Sequence, residues 1–216
     1  MLVLFDVDGT LADTSALEGG VYERTFEAVF GAALPTADWA AYAEQTDRGV
    51  AEEAARRLGL PTARLGEFER RLVEEIGREL GRLAVAPVAG ARQAFAWIEA
   101  AGHHAAVATG AYEGSARAKL SAAGVSLGSR VLVGCGFHPS RVAILREARR
   151  RAGPEEPAVY VGDGPWDLRA AGAAGLGFVG VDPRATGRLR EAGAATVVPD
   201  LADAARLLRA LEAAAR

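Results

Sequence analysis

Lysine is almost missing from this chain: of its 25 basic residues only Lys119 is a lysine, and the rest are arginines. Alanine is abundant alongside, a pattern that looks like genome-composition bias and carries no functional reading. Cysteine is equally scarce. Cys135 stands alone, so no intrachain disulfide can form, and a reducing cytoplasm is the expected setting. With only three histidines, His103, His104 and His138, no pairing with Cys135 has zinc-ligand spacing. Cys135 reads instead as a small residue at the edge of the core. No apolar run approaches the roughly 18 residues of a membrane span, and MLVLF is too short and lacks the basic start of a signal peptide. Basic tracts clear of a helix are also missing, and the formal net charge is -3, so neither nucleic acid nor a membrane is an expected partner.

What is present is ordinary for a soluble globular protein, with half of the residues hydrophobic and a quarter charged. A length of 216 residues suits one α/β domain with room for a smaller inserted one, and the core needs no disulfide or structural metal.

Leu2 to Phe5 is a wholly apolar run that stops at acidic and glycine residues, the pattern of a buried parallel strand ending at a functional loop. Comparable runs recur at His104–Thr109, Val131–Val133, Ala158–Val161 and Gly177–Val181. Helical patterns separate them, at about 88–101, 114–123, 141–152 and 168–174. This alternation predicts an α/β fold, a parallel sheet with helices on both faces. The stretch Asp200-Leu-Ala-Asp offers an N-cap for a last amphipathic helix. Between Thr14 and Leu83 the alternation breaks. Tyr22, Phe26, Val29 and Phe30 form one apolar helical face, and Phe68, Leu72, Ile76 and Leu80 form another. An all-helical insert of this kind predicts a lid hinged near Asp13–Ala16 and Ala84–Pro87, giving a core domain of residues 1–14 and 85–216 and a cap domain of 15–84.

The candidate chemistry begins with DVDGTLADT. Asp6 and Asp8 sit where a buried strand yields to a Gly-Thr turn, and ligands of open α/β sheets gather at strand carboxyl ends. Carboxylates so close repel one another unless a cation or a proton relieves them. Thr109 puts a hydroxyl at a second strand end, just before Gly110 and a helix start that would favour a phosphate oxygen. Asp163 and Asp167 follow a later strand, with Gly162 allowing a tight turn. Hard oxygen ligands of this sort suit Mg²⁺ better than Zn²⁺.

These segments together resemble the four motifs of the haloacid-dehalogenase superfamily. DVDGT matches the first, Thr109 the second, Arg141 in HPSRVAILREA the basic third, and Gly162-Asp163-Gly164-Pro165-Trp166-Asp167 the acidic fourth. The resemblance covers the full chain and implies a Rossmann-like core with Asp6 on the central strand. It further implies Mg²⁺ held by the acidic set Asp6, Asp8, Asp163 and Asp167. Asp6 would be the nucleophile, Asp8 the general acid and base, and Thr109, Gly110 and Arg141 the phosphate contacts. The family more often has Lys at the third motif, and Arg is a different shape of cation. The helical insert is similar to the small cap of the phosphoglycolate-phosphatase and β-phosphoglucomutase branch. Within it Thr46 and Arg48, in the polar cluster Gln45–Gly49, are candidate substrate contacts, with a plain interhelical loop as the alternative.

The expected activity is therefore Mg²⁺-dependent hydrolysis of a small phosphorylated metabolite by a cytoplasmic monomer or homodimer. A phosphosugar mutase using the same aspartyl-phosphate and a catalytically silent binding module on this fold are the alternatives. A receiver domain fails on length and on the helical insert. A dinucleotide oxidoreductase fails because no G-x-G-x-x-G follows the first strand.

Overall fold

The computed structural model describes residues 1–14, 17, 20–153 and 157–215. Its main sheet has six parallel strands in the order β5-β4-β1-β6-β7-β8. The strands are β1 (Leu2–Phe5), β4 (His104–Ala108), β5 (Leu132–Val133), β6 (Ala158–Gly162), β7 (Gly177–Val181) and β8 (Val197–Val198). From β1 the chain builds outward through β4 and β5, then crosses back to lay β6 on the other side of β1. The carboxyl end of β1 thus lies at the reversal of strand order, where open α/β sheets bind ligands.

Both faces of the sheet are covered, which is why β1 and β6 are apolar without alternation. Leu2, Leu4 and Tyr160 pack with α6 (Arg141–Ala152) and α7 (Pro165–Ala174). Val3, Phe5, Val159 and Val161 face α4 (Ala91–Ala100), α5 (Glu113–Ala122) and α9 (Ala204–Ala214). Successive residues of each strand point to opposite layers, so both hydrophobic layers draw on the same short runs. A further short helix, α8 (Arg188–Glu191), lies between β7 and β8.

Helix limits shift by a few residues for local reasons. Gly90, at φ 83°, delays α4 to Ala91. Pro165 starts α7 earlier than the apolar spacing predicts, because proline is favoured in a first helical turn. Asp203, not Asp200, caps α9 by accepting from the Arg206 N–H, while Asp200 accepts from the Ala202 N–H one turn before.

The expected insert is helical, comprising α1 (Val21–Phe30), α2 (Asp47–Arg57) and α3 (Leu65–Leu80). Its two predicted apolar faces meet at Phe68, whose ring lies 5.1 Å from that of Tyr22 and 6.0 Å from that of Phe26. At its base the chain forms an antiparallel pair of two-residue strands, β2 (Ala12–Asp13) and β3 (Ala86–Pro87). The two predicted hinges are therefore tied side by side. Ser15 and Ala16 of the first hinge lie outside the described residues. Among the described residues no helix is long and apolar enough to cross a membrane.

Candidate active site

The turn after β1 folds back on itself: the N–H groups of Leu11 and Ala12 both donate to the Val7 carbonyl at 2.9 Å. Gly9 sits in this turn at φ +74°, and a Cβ there would come within 2.2 Å of Asp163 Oδ2. Glycine is required both by the backbone and by the close approach of a carboxylate. The turn leaves Asp6 almost fully buried and Asp8 partly open. Strand β6 delivers Asp163 beside them, and the first turn of α7 delivers Asp167, which is fully buried. Oxygens of Asp6, Asp163 and Asp167 lie within 4.8 Å of one another.

Burial raises all three carboxyls, because leaving water disfavours their charged form. Asp6 is pushed up to about 7 by burial first and by Asp167 next, against the opposing influence of Arg141. The Thr109 hydroxyl also favours its ionised form. Asp163 is raised by burial and then by Asp167 and Asp6. Asp167 is raised by burial, with Arg141 pulling the other way.

Arg141 is buried at the head of α6 and joins these groups. Its Nη1 lies 2.9 Å from Asp167 Oδ1 and 3.5 Å from Asp6 Oδ1. The same nitrogen donates to the Tyr160 hydroxyl at 3.1 Å, and Nη2 donates to the Gln45 carbonyl at 2.9 Å. Gly110 makes room for the fork, since a Cβ there would stand 2.3 Å from Nη2. The Tyr160 hydroxyl has Ala108 O and Asp167 Oδ1 within reach of its single proton, at 3.1 and 3.2 Å.

Three contributors escape sequence reasoning. Lys119, the sole lysine, is buried in α5 with Nζ 2.7 Å from Asp8 Oδ1. Burial works against its charge, yet Asp8 and then Asp47 outweigh that and raise its pKa. Asp47, from the insert, is buried at the start of α2, and its Oδ2 accepts from the Tyr112 N–H at 3.1 Å. Burial pushes Asp47 up to about 6, with Lys119 the strongest opposing influence. Tyr160 is the third, an unmarked residue of an apolar strand. A lone Lys in a helix carries no such signal, and Asp47 is marked only by its place in the polar Gln45–Gly49 cluster.

That cluster docks the insert onto the core. Thr46 donates from its hydroxyl to the Pro139 carbonyl at 2.7 Å and accepts from the Gly49 N–H, capping α2. Arg48 Nη1 donates to the Gly136 carbonyl at 2.8 Å. The Asp47 N–H donates to the Gly110 carbonyl, and the Tyr22 hydroxyl donates to Asp47 O at 2.6 Å. The side chains of Thr46 and Arg48 are thus engaged with core backbone, outside the lining of the central cavity.

That cavity, of about 470 Å³, lies between core and insert. Asp6, Asp8, Thr109, Lys119 and Arg141 line it on the core side, and Tyr22 and Trp39 are among its walls from the insert. The chemistry of the donors fits a hard divalent cation. Asp6 Oδ1 is buried with no hydrogen-bond partner. Asp163 adds a second carboxylate within reach, and after burial itself the neighbouring carboxylates raise the pKa of each, a repulsion that a cation relieves. Asp167 is differently placed, since Oδ1 faces Arg141 and Oδ2 accepts from the Gly164 N–H at 3.0 Å.

A parallel sheet with an acidic cluster at its switch point, roofed by a helical insert, defines a class of α/β hydrolases. The chain belongs to the haloacid dehalogenase-like hydrolase family, whose model matches residues 1–175. No curated protein sequence matches it. Among solved structures it is similar to a hydrolase from Pseudomonas syringae, with a TM-score of 0.75 at 19% identity over 96% of this chain and 97% of the other. CbbY from Rhodobacter sphaeroides, in complex with phosphate, gives a TM-score of 0.72 at 22% identity over 98% of each chain. A predicted phosphoglycolate phosphatase from Haemophilus somnus gives 0.66 at 19% identity over 96% of this chain and 97% of that one.

Proposed function

We propose that the protein is a Mg²⁺-dependent phosphatase that hydrolyses a small phosphorylated metabolite through an aspartyl-phosphate on Asp6. The observation that carries this reading is the pairing of Asp6 and Asp8 in the wall of one cavity, with Asp6 Oδ1 free of any hydrogen bond. CbbY, of like fold, was crystallised with phosphate, which agrees with a phosphate-ester substrate here.

Asp6 attacks phosphorus, the bond from phosphorus to the leaving oxygen breaks, and Asp8 gives that oxygen a proton. Water then attacks the aspartyl-phosphate, passes a proton to Asp8, and releases Asp6 as a carboxylate. Thr109 and the backbone at Gly110 take phosphoryl oxygens, and Arg141 offsets the negative charge that meets at Asp6. Asp6 and Asp163 are the residues that would hold Mg²⁺, with Asp167 fixing Arg141 beside them. When bound, the cation neutralises charge on nucleophile and phosphoryl group so that the two anions can approach. Asp8, in this reading, keeps its side chain for proton transfer.

Residues 15–84 act as the cap and residues 1–14 and 85–216 as the catalytic core. A cavity of about 470 Å³ suits a ligand of metabolite size. Phosphate release from a panel of small phosphate esters, with and without Mg²⁺, tests the reading. Turnover that needs Mg²⁺ and vanishes in Asp6→Asn supports it; turnover indifferent to both, or none from the unaltered protein, removes it.

A further inference from the structure

The proposed mechanism assigns no task to two buried, charged side chains in the same cavity wall, Lys119 and Asp47. They come from different parts of the chain, one from the core helix α5 and one from the insert helix α2. Lys119 Nζ donates to Asp8 Oδ1 at 2.7 Å, and Asp47 is the next acidic group to act on the same ammonium. Asp47 cannot drift from this position. Its N–H donates to Gly110 O, its carbonyl accepts from Tyr22, and its carboxylate accepts from the Tyr112 N–H.

A buried lysine with two acidic neighbours could serve stability alone. Three features argue for more. Burying the charges of Lys119 and Asp47 is expensive, and apolar side chains there would pack as well or better. The ammonium grips one oxygen of Asp8, which fixes the carboxylate's rotation. Asp8 stays partly open to the cavity, with about 35% of its side chain accessible, so its other oxygen can still meet water.

We propose that Lys119, with Asp47 of the insert in the same cavity wall, is a positioning residue that presents Asp8 as the proton acceptor for the water that breaks down the aspartyl-phosphate. In that step the water oxygen bonds phosphorus, the bond from phosphorus to Asp6 breaks with its electrons going to Asp6, and the water proton goes to Asp8. Lys119 exchanges no proton; it holds the acceptor in place. The insert thereby contributes to hydrolysis as well as enclosing the substrate. This inference rests on the phosphatase reading above.

The test uses p-nitrophenyl phosphate, whose leaving group needs no protonation, so a defect in water activation stands out. Lys119→Met is expected to lower kcat by about 10- to 100-fold and KM with it, so that kcat/KM falls far less. Mixing in a stopped-flow instrument should give a burst of nitrophenolate approaching one per enzyme, followed by a slow phase. Asp47→Asn keeps the size of the side chain and an acceptor for Tyr112, and should show the same pattern at a few-fold magnitude. It also carries the test if Lys119→Met does not fold. A loss in which kcat/KM falls as far as kcat, with no burst in either variant, overturns the assignment while leaving the phosphatase reading standing. Wild-type turnover that ignores Asp6→Asn overturns both.

Discussion

Nη1 of Arg141 lies between two buried carboxylates, 2.9 Å from Asp167 Oδ1 and 3.5 Å from Asp6 Oδ1. The same guanidinium reaches the insert through the Gln45 carbonyl, so charge balance in the core and docking of the insert share one side chain.

Replacing Arg141 with Met leaves Asp6 and Asp167 buried without their counter-charge. Breaking a buried pair in this way costs about 3–5 kcal/mol. Urea unfolding without divalent cation should show that loss. Lys at the same position should recover part of it and still lose the bond to Gln45, because an ammonium lacks the planar fork.

Acidification should stabilise the cation-free protein between pH 7 and 5. Burial raises Asp6 to about 7 and Asp47 to about 6, both above their ordinary value of 3.8. A raised carboxyl binds its proton in the folded state before the unfolded chain does, so stability grows as pH falls through the folded pKa and is lost as pH rises. Carboxyls held low, such as Asp182 and Asp203, act only below this window. A melting temperature that rises by several degrees from pH 7 to 5, and flattens in Asp6→Asn, is the expected result. Added Mg²⁺ should reverse the trend by favouring the ionised carboxylates.

Gly9→Ala should damage the site without touching any charged residue. Its Cβ would press on Asp163 Oδ2 at 2.2 Å, from a backbone φ of +74° that alanine resists. Moving a carboxylate proposed to hold Mg²⁺ should weaken binding of that ion by about tenfold or more, read as the Mg²⁺ concentration for half-maximal stabilisation.

Part of the acidic side of the site is legible in the sequence because Asp6 and Asp163 each stand at the end of an apolar strand, where sheet topology concentrates chemistry. Asp6 and Asp163 are found on that ground together with the four-motif resemblance, and Asp167 through the resemblance. Lys119 is not, since its partner Asp8 lies 111 positions away and only the packing of α5 against the turn after β1 joins them. Asp47 lies in a cluster that sequence does mark, but helical phase decides which of its side chains faces the cavity: Asp47 does, and its neighbours Thr46 and Arg48 bond to core backbone instead. The strands β2 and β3 stay hidden because two residues carry no periodicity, and the pairing of Ala12 with Pro87 is long-range.

Thr46→Ala should therefore act on stability. It removes both the cap of α2 and the bond to Pro139 O, and loss of a cap alone costs about 0.5–2 kcal/mol. A fall in unfolding free energy of that size with KM changed by no more than about twofold is expected. A large rise in KM at unchanged stability would instead make Thr46 a substrate contact.

The central claim is covalent chemistry at Asp6. The most direct measurement is mass spectrometry of the protein acid-quenched during turnover with Mg²⁺ and a phosphate ester, followed by mapping of the modified peptide. The account predicts one added phosphoryl group on the peptide carrying Asp6, labile to hydroxylamine and absent from Asp6→Asn. A phosphoryl group on another residue, or an Asp6→Asn variant that still turns over substrate at the wild-type rate, would contradict it.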